Sequence, residues 1–553
     1  MRTNLLITIV FSLAYFSNTY AQSFYVSNTG NDSNPGTFNS PWKTFQKACN
    51  AATPGSTVYL RDGTYKKAWL NVTGSSGNFI TFKSYNSEQV YIDGGSTNTQ
   101  TELLVINNKS YIRISNLHFR NAMGNYSSGI YIANGSHHIE ILDNKISHIN
   151  FSTDPNAAVS SFTNSYPFIV YNQNPTNACH HILVKGNEIA DCRTGFSEAL
   201  TLNGNVDGFE VSNNKVHDIT NIGIDLAGGY GTSPNPLNDM ARNGIVKENE
   251  VYNCVSAYAV SAGIYVDGGQ DIIVERNICH HNGRGFEVGC EELNHETKNI
   301  IVRDNISYLN KEAGIGIGGY NYPSTGKVTN SQILNNTFYH NNTSNIFDGE
   351  LLIEYTENCT VKNNIFYATN TEDLLIVTRL NSTGIVLDYN LYYHSCGTAN
   401  SYVDWEGNVW SYADYLTNTG QDANSLFDNP NFTDVGANDF TLNINSPAVN
   451  SGDPNFSVGV NETDFGGNDR LVGQVDIGAY EFVGSCNLSL NLTGNINQVA
   501  FYYVQTYIHS ENIIEPVADV VFSAGDEIIL EVGFWAKGGS SFQALISDCT
   551  VIP

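Results

Sequence analysis

The sequence predicts an all-β protein, a right-handed parallel β-helix, from a repeated phrase, its strand-like alternation and the near absence of helical segments between copies. Ten copies of an apolar–polar phrase carry an asparagine, at Asn116, Asn144, Asn187, Asn214, Asn249, Asn277, Asn305, Asn336, Asn364 and Asn390. The copies are spaced by roughly 26 to 43 residues, an interval typical of solenoids. Because each phrase alternates apolar and polar residues, it predicts a strand. Stacked coils would bury the apolar faces as parallel sheets.

The repeated asparagine predicts a ladder along the solenoid. An asparagine above the asparagine of the next coil satisfies side-chain amides and turn backbone together. Asparagine also tolerates the left-handed conformation that a sharp bend between strands needs.

Residues 1–21 predict a secretory signal peptide. Arg2 precedes an apolar run from Leu5 to Phe16, and the small residue Ala21 ends the segment and marks the cleavage site. The run is too short to span a membrane. We therefore expect a secreted or cell-surface protein.

Residues 22–100 are expected to form an N-terminal cap and the first coils, and residues 101–395 the main β-helix. The cap contains the one segment predicted as helix, Pro41 to Ala52, with apolar residues at Trp42, Phe45, Ala48 and Cys49. An amphipathic helix here would cover the open end of the solenoid, which repeat arrays need.

The repeat decays after residue 395, which predicts irregular terminal coils over 396–484 and a small accessory β domain, β-sandwich-like, over 485–553. Cys486 and Cys549 bracket that last domain and are the best candidate disulfide pair. The ten cysteines include no CxxC pair, so a zinc site of that type is not expected.

The formal net charge of −28 excludes nucleic acid as a partner and disfavours polyanions. The composition, with few Lys and Arg residues and many Asn, Gly, Ser, Thr and Tyr residues, is typical of an extracellular surface that faces carbohydrate. The predicted partner is therefore a polysaccharide or oligosaccharide, bound by a monomer.

A second strand motif follows the asparagine turn in each coil, and its copies align into two outward columns. The first column contains Thr201, Asp225, Tyr265, Glu287 and Gly316; the second contains Asn203, Ala227, Asp267, Gly289, Gly318 and Glu354. Coils about 4.8 Å apart would place the Asp267 and Glu287 carboxyl groups roughly 6–8 Å apart, and Asp225 about 10 Å from Glu287. Glycoside hydrolysis uses carboxyl separations of about 5–5.5 Å or 6.5–9.5 Å. We therefore interpret Asp267, Glu287 and Asp225 as catalytic acids.

The surroundings of these acids predict a substrate-binding cleft. Glycines beside the acids are expected to leave the floor of the cleft open. Three insertions form loops on the same side, and loops on a rigid scaffold often carry functional residues. The predicted substrate-binding residues are Tyr265, Glu291, Glu292, Tyr320, Glu350 and Glu354.

The N-terminal segment resembles the start of secreted β-helix proteins, including pectate-lyase-like families. The matching residues are Tyr25-Val26-Ser27, Gly30-Asn31-Asp32, Pro35-Gly36-Thr37 and Pro41-Trp42-Lys43-Thr44. The stretch ending in VDIGAYEF at Phe482 resembles modules that follow β-helices in bacterial surface proteins. This resemblance implies a bacterial, carbohydrate-active protein with possible cell-surface association.

Three functions remain open from the sequence. The lead hypothesis is a glycoside hydrolase that needs no cofactor. The second is a polysaccharide lyase of the pectate or alginate type, for which calcium is possible. Of the calcium-binding Asp-Asp-Gly-x-Asp cluster of pectate lyases, only Asp225 is kept, and the expected Lys or Arg base is replaced by Ser261 and Tyr265. Arg276 and Arg284 are the nearest alternatives, and both are predicted as turn residues. The third function is a non-catalytic polysaccharide-binding or adhesin-like protein.

Overall fold

The computed structural model describes residues 22–346, 348–369, 373–379, 381–397, 401–482, 487–498 and 500–546. The predicted signal peptide with Ala21 and the predicted Cys486–Cys549 disulfide lie outside these residues, so both stay predictions. None of the described helices is long and apolar enough to cross a membrane.

Three long parallel sheets form the body of the molecule, which is a right-handed β-helix as predicted. The chain passes from sheet 1 through the asparagine turn to sheet 2, then to sheet 3, and back to sheet 1 one coil further on. The motif that carries the candidate acids therefore lies on the third strand of each coil, with a short sheet 2 strand between it and the turn.

The strands of sheet 1 are Ser23–Val26, Thr57–Leu60, Ile80–Ser84, Ser110–Ser115, His137–Leu142, Cys179–Lys185, Val206–Ser212, Ala241–Lys247, Gln270–Glu275, Glu296–Arg303, Lys327–Thr329, Gln332–Leu334, Thr356–Glu357, Thr360–Lys362 and Val386–Asp388. Those of sheet 2 are Gly63–Tyr65, Val90–Asp93, His118–Arg120, Lys145–Ser147, Glu188–Cys192, Lys215–Ile219, Glu250–Cys254, Ile278–His280, Ile306–Tyr308, Thr337–Tyr339, Ile365–Ala368, Leu391–His394 and Leu426–Phe427. Those of sheet 3 are Ala68–Trp69, Glu102–Asn107, Ser128–Ala133, Tyr166–Asn172, Leu200–Gly204, Ile224–Ala227, Ala262–Asp267, Arg284–Gly289, Ile315–Gly318, Leu351–Ile353, Ile376–Thr378, Ser401–Trp405 and Asn408–Ser411.

The asparagine ladder exists, and it runs from Asn144 to Asn390. In a typical rung, the Asn277 amide oxygen accepts from the Asn249 backbone N–H at 3.0 Å and from the Asn249 side-chain amide at 2.9 Å. Asn116 is not a rung, because Leu117 occupies the ladder position in its coil and donates its N–H to Asn144. The left-handed residue of each turn is the one before the rung, such as Asp143 at φ 53°.

Helices close both ends of the core. The predicted N-terminal helix spans Phe45–Ala51, with Thr44 as its N-cap, and buries Phe45, Ala48 and Cys49. A second helix, Tyr412–Thr419, was not predicted from the sequence. It buries Tyr412 and Tyr415 in the core of the solenoid, beyond the last coils.

Of the predicted terminal region 396–484, Ser401–Trp405 still pairs in sheet 3 and Leu426–Phe427 in sheet 2, whereas residues 428–482 do not continue the stack. The antiparallel strands Phe432–Asp434 and Asp439–Leu442, joined by the 3-10 turn Val435–Ala437, pack with residues up to 482 against sheet 2. Arg470 is fully buried there, 3.6 Å from the Asp304 carboxylate. Two other buried carboxylates, Glu275 and Glu462, flank Arg303. This segment is therefore a brace along the side of the β-helix.

The C-terminal module is small and all-β, as predicted, but its described strand pairs are parallel, unlike the antiparallel pairs of a sandwich. One sheet contains Asn487–Leu492, Ala500–Ser510, Asp519–Ala524, Glu527–Leu530 and Ser541–Ile546, and the other contains Asn495–Ile496, Ile513–Ile514 and Trp535–Ala536. Its fold is a second, short solenoid.

Candidate active site

A cleft of about 700 Å³ lies on the outer face of sheet 3. It is lined by charged and aromatic side chains from consecutive coils, among them Tyr166, Tyr171, Glu198, Asp225, Tyr230, Tyr265, Asp267, Arg284, Glu287, Glu291, Tyr320 and Glu354. Six of these are carboxylic acids and one is an arginine, so the cleft is strongly acidic.

Strand register brings the predicted acids together, because both predicted columns exist on sheet 3. Asp225 pairs with Tyr265, and Tyr265 pairs with Glu287 on the next coil. Asp267 lies in the neighbouring column, opposite Gly289. Asp267 and Glu287 are thus diagonal neighbours on adjacent coils, as the sequence predicted.

Asp267 is buried in the cleft wall and held by two hydrogen bonds. Its Oδ1 accepts the backbone N–H of Glu291 at 2.9 Å, and its Oδ2 accepts a short hydrogen bond from the Tyr230 hydroxyl. The same hydroxyl lies 3.3 Å from Glu291 Oε2, so one phenol oxygen bridges the two carboxyl groups. Burial, followed by the charge of Glu291, raises the pKa of Asp267 well above its usual range. Asp267 is therefore suited to hold a proton near neutral pH.

Glu287 has the opposite environment, because it faces a cation. Its Oε1 accepts a hydrogen bond from Arg284 Nη1 at 2.7 Å. Burial raises the pKa of Glu287; the charge and the hydrogen bond of Arg284 oppose that rise, but the net pKa is still above its usual range. A charge-assisted contact of this length favours the ionised carboxylate.

Arg284 is a site residue that the sequence interpretation placed in a turn. It begins the strand Arg284–Gly289 and is buried beside Glu287, with Asp348 at 3.3 Å and Glu312 at 3.6 Å. Burial lowers the pKa of its guanidinium, but the charges of Glu287 and Asp348 outweigh burial, and the net pKa is raised. Arg284 is therefore a fixed cation and a poor proton acceptor.

The glycines beside the acids accommodate neighbouring side chains instead of leaving an open floor. A Cβ atom at Gly289 would lie 2.7 Å from the Tyr265 hydroxyl, and one at Gly316 would lie 3.2 Å from Arg284. Tyr265 is buried for this reason, although it lines the cleft. The small residues thus position an aromatic ring and the cation next to the catalytic candidates.

Asp225 forms a second acidic group with Glu198, an acid that the sequence interpretation did not single out. Asp225 is buried, and its Oδ1 has no hydrogen-bond partner. Burial and then the charge of Glu198 raise the pKa of Asp225 well above its usual range. Burial raises the pKa of Glu198 to about 7, although the Thr201 hydroxyl donates to it at 2.8 Å. Because Glu198 precedes its strand, the column pattern could not reveal it.

The loop that supplies Tyr230 is held by one buried aspartate. Asp239 accepts the backbone N–H groups of Gly231 and Ser233, each at 2.6 Å. These bonds close the insertion back on itself. The predicted insertion thus delivers the hydroxyl that binds Asp267.

Two predicted substrate-binding residues lie away from the cleft. Glu350 is buried and accepts from the backbone and side-chain amides of Asn341, each at 2.8 Å. It ends a second, shorter ladder through Asn282, Asn310 and Asn341, so its prediction as a sugar-binding residue is corrected. Glu292 lies outside the cleft lining, on the loop after Glu291.

The cleft continues into a second pocket of about 470 Å³. Tyr320 and Glu354 line both pockets, while Tyr322, Tyr355 and Arg379 line the second one. Tyr320 and Tyr322 are 58% and 48% exposed, so their rings are available to a ligand. Together the pockets offer a path longer than one sugar ring.

The acids of the cleft do not form a cluster suited to calcium. Among the described residues, only His137, His138 and His180 bring three candidate ligand atoms within 4.8 Å of one another. Calcium needs six to eight oxygen ligands around one ion. Among the described residues of sheet 3, no three carboxyl oxygens from different acids lie within 4.8 Å of one another, so the acids alone do not fit this demand.

Comparisons with known proteins found several similar chains. The uncharacterized protein YwoF of Bacillus subtilis (strain 168) is 35% identical over 441 residues, which are 77% of this chain and 91% of that protein. Pectate lyase PEL9 of Emericella nidulans is 37% identical over 84 residues, 15% of this chain and 20% of that enzyme. The crystal structure of a GH136 lacto-N-biosidase from Eubacterium ramulus has a TM-score of 0.47 and 14% identity, over 67% of each chain.

A model of one family matches most of the solenoid. It describes a Pel9A-like, right-handed β-helix region and covers residues 24–364. The match spans all the coils that build the cleft. The chain therefore belongs to the Pel9A-like right-handed β-helix family.

Proposed function

We propose that this protein is an exported glycoside hydrolase that cleaves a polysaccharide in the sheet 3 cleft. The observation that carries the proposal is the opposite environment of two neighbouring acids. Asp267 is buried among acids, whereas Glu287 faces Arg284 at 2.7 Å. Pairs of carboxyl groups whose environments separate their pKa values are the basis of acid–base assignment in glycosidases.

We propose a separate role for each acid. Asp267 would protonate the glycosidic oxygen as the bond to the leaving sugar breaks, and Tyr230 and the Glu291 N–H hold its carboxyl group in position. Glu287, whose carboxylate form is stabilised by the hydrogen bond from Arg284, would attack the anomeric carbon or remove a proton from the attacking water. Asp225 and Glu198 lie on earlier coils and would bind hydroxyl groups of the sugar chain.

The charge of the cleft supports a substrate without carboxylate groups. Its one arginine already contacts three carboxylates, so it has no free charge to offer a uronic acid. A uronate would also meet the acids that line the wall. The exposed rings of Tyr320 and Tyr322 suit a neutral oligosaccharide, and we propose that the chain acts outside the cell as a monomer.

Elimination is the second candidate, because a pectate lyase is among the relatives and Arg284 lies in the cleft. A lyase base must release its own proton before it can take one from the sugar. The carboxylates around Arg284 raise its pKa and oppose that release. The contacts of Arg284 therefore favour hydrolysis over elimination.

The experiment is digestion of a panel of neutral and uronic-acid polysaccharides, with new reducing ends and unsaturated uronates measured in parallel, with and without EDTA. We expect reducing ends from a neutral substrate without unsaturated products, and no loss of activity with EDTA. Asp267→Asn and Glu287→Gln should abolish this activity, whereas Glu292→Gln, an acid outside the cleft lining, should retain it. Unsaturated products lost on chelation would contradict the proposal, and a silent panel with retained polysaccharide binding would favour a binding protein.

A further inference from the structure

Two pairs of adjacent histidines lie on neighbouring coils of sheet 1, away from the sheet 3 cleft. His137 and His138 begin the strand His137–Leu142, and His180 and His181 lie in the strand Cys179–Lys185. In the register between these strands, His137 pairs with His180. The four imidazoles therefore form a two-by-two array on the outside of the solenoid.

The rings of the array face one another closely. The Nδ1 atoms of His137 and His138 are 2.8 Å apart, and those of His180 and His181 are 2.7 Å apart. Between the coils, the ring centres of His137 and His180 are 4.7 Å apart and those of His138 and His181 are 4.3 Å apart. One candidate ligand nitrogen from each of His137, His138 and His180 lies within 4.8 Å of the other two.

We propose that this array binds one transition-metal ion of the zinc, nickel or copper type, with His137, His138 and His180 as ligands and His181 as a fourth. Imidazole nitrogen is a preferred ligand of these ions, at about 2.0–2.1 Å for zinc. Two nitrogens bound to one zinc ion in tetrahedral geometry are about 3.3 Å apart, so small ring rotations convert the observed contacts into a chelate.

The fold prepares the array for a metal ion. Neutral imidazole is the form that binds metals. The solenoid holds both strands in register, so little ordering entropy opposes binding.

A third histidine pair supplies a matched comparison within the same chain. The Nδ1 atoms of His280 and His281 are also 2.8 Å apart, but His280 is stacked between the rings of Tyr252 and Tyr308. This pair has the same local geometry without histidines on the adjacent coils. It offers two nitrogens where the array offers four.

The test is equilibrium dialysis of the full chain against zinc chloride, with metal content measured by atomic absorption. We expect about one tightly bound ion per chain, weakened roughly tenfold or more in His137→Gln/His138→Gln/His180→Gln and unchanged in His280→Gln/His281→Gln. Zinc should also raise the unfolding temperature of the unsubstituted protein and not that of the triple variant. Circular dichroism would show that each variant is folded.

Two results would overturn the proposal. One is absence of bound zinc, nickel and copper in the folded, unsubstituted protein. The other is equal binding by the unsubstituted protein and the folded triple variant. The site is on sheet 1, so neither result depends on the activity of the cleft.

Discussion

Two side chains decide the proposed chemistry at the scale of single residues. Asp267 accepts from Tyr230 and from the Glu291 N–H, whereas Glu287 accepts from Arg284. Burial raises the pKa of both carboxyl groups, but only at Glu287 does a neighbouring cation oppose that rise. A retaining or an inverting hydrolase needs this difference.

Replacing Asp267 by Asn should remove the general acid. We expect kcat on a natural oligosaccharide to fall by about 10²–10⁴-fold, because the leaving oxygen is no longer protonated. On an aryl glycoside with an acidic phenol as leaving group the loss should be much smaller, since that group needs no proton. Steady-state kinetics on both substrates measure the difference, and an equal loss on both would contradict the acid role. Glu287→Gln is the comparison, because it should lose activity on both.

Replacing Arg284 by Gln should shift the pH dependence of hydrolysis. Without the guanidinium, the pKa of Glu287 rises, so the carboxylate forms only at higher pH. The acidic limb of the kcat/KM profile should therefore move to higher pH, with Arg242→Gln as a control whose ion pair with Asp207 lies outside the cleft lining. An unchanged acidic limb would show that Arg284 does not influence the ionisation of Glu287.

The sequence allowed the positions of the main acids to be predicted, but not their partners. Period-two alternation and coil stacking place Asp225, Asp267 and Glu287 on one face, and the register agrees. Arg284 was predicted in a turn, whereas it is the first residue of a strand. Its burial could not be predicted, because it depends on the space left by Gly316 one coil away. Glu350 was misplaced because an acid that ends an asparagine ladder looks, in one dimension, like an acid on a binding rim.

At the scale of structural elements, the asparagine ladder stabilises the turns between sheets 1 and 2 from Asn144 to Asn390. Asn277 →Ala should destabilise the fold by about 1–3 kcal/mol, because buried amides of Asn249 lose their acceptor. Chemical denaturation measures this change. Asn455→Ala, at an exposed turn with local hydrogen bonds, should change stability by no more than about 0.5 kcal/mol. Equal effects of the two substitutions would argue against the ladder as a stabilising element.

The second pocket should determine how the enzyme uses longer substrates. Tyr322→Ala removes an exposed ring that faces Tyr355 and the pocket beyond Glu354. We expect KM to rise severalfold for long oligosaccharides and to stay unchanged for the shortest cleaved one. Tyr126→Ala, also an exposed tyrosine but outside both pockets, is the control. A KM that is independent of chain length in the Tyr322 variant would exclude a subsite there.

The elements that the sequence could not predict are those without a repeat. The helix Tyr412–Thr419 contains Thr and Asn in its last turns, which weaken the helical signal, and it exists because Tyr412 and Tyr415 cover the last coil. The C-terminal module has the alternation of apolar and polar residues that any strand shows, and this alternation does not distinguish parallel from antiparallel pairing. The repeat itself carried the information that predicted stacked parallel sheets.

At the scale of the whole molecule, buried acids predict a pH-dependent stability. Burial raises the pKa of Glu198 and Glu312 to about 7, and that of Glu350 to about 8. These groups bind protons more tightly in the folded state than in the unfolded state, so their stabilising contribution is full below the unfolded pKa of about 4.5 and is lost as pH rises through about 7–8.

Thermal unfolding between about pH 5 and pH 8.5 tests this linkage. The midpoint should fall as pH rises across this window, and Glu350→Gln should flatten part of the fall. Acids with lowered pKa, such as Glu88 beside Arg61, act mainly below this window and leave the sign unchanged. A midpoint that rises with pH would contradict the proposed protonation of the buried acids.

The measurement that tests the central proposal most directly is cleavage of an oligosaccharide substrate in water enriched in heavy oxygen, followed by mass spectrometry of the products. If Asp267 and Glu287 catalyse hydrolysis, each cleavage incorporates one oxygen atom from the solvent into a product, and no unsaturated sugar forms. Products that carry no solvent oxygen and a new double bond would show elimination and contradict the assignment of both acids.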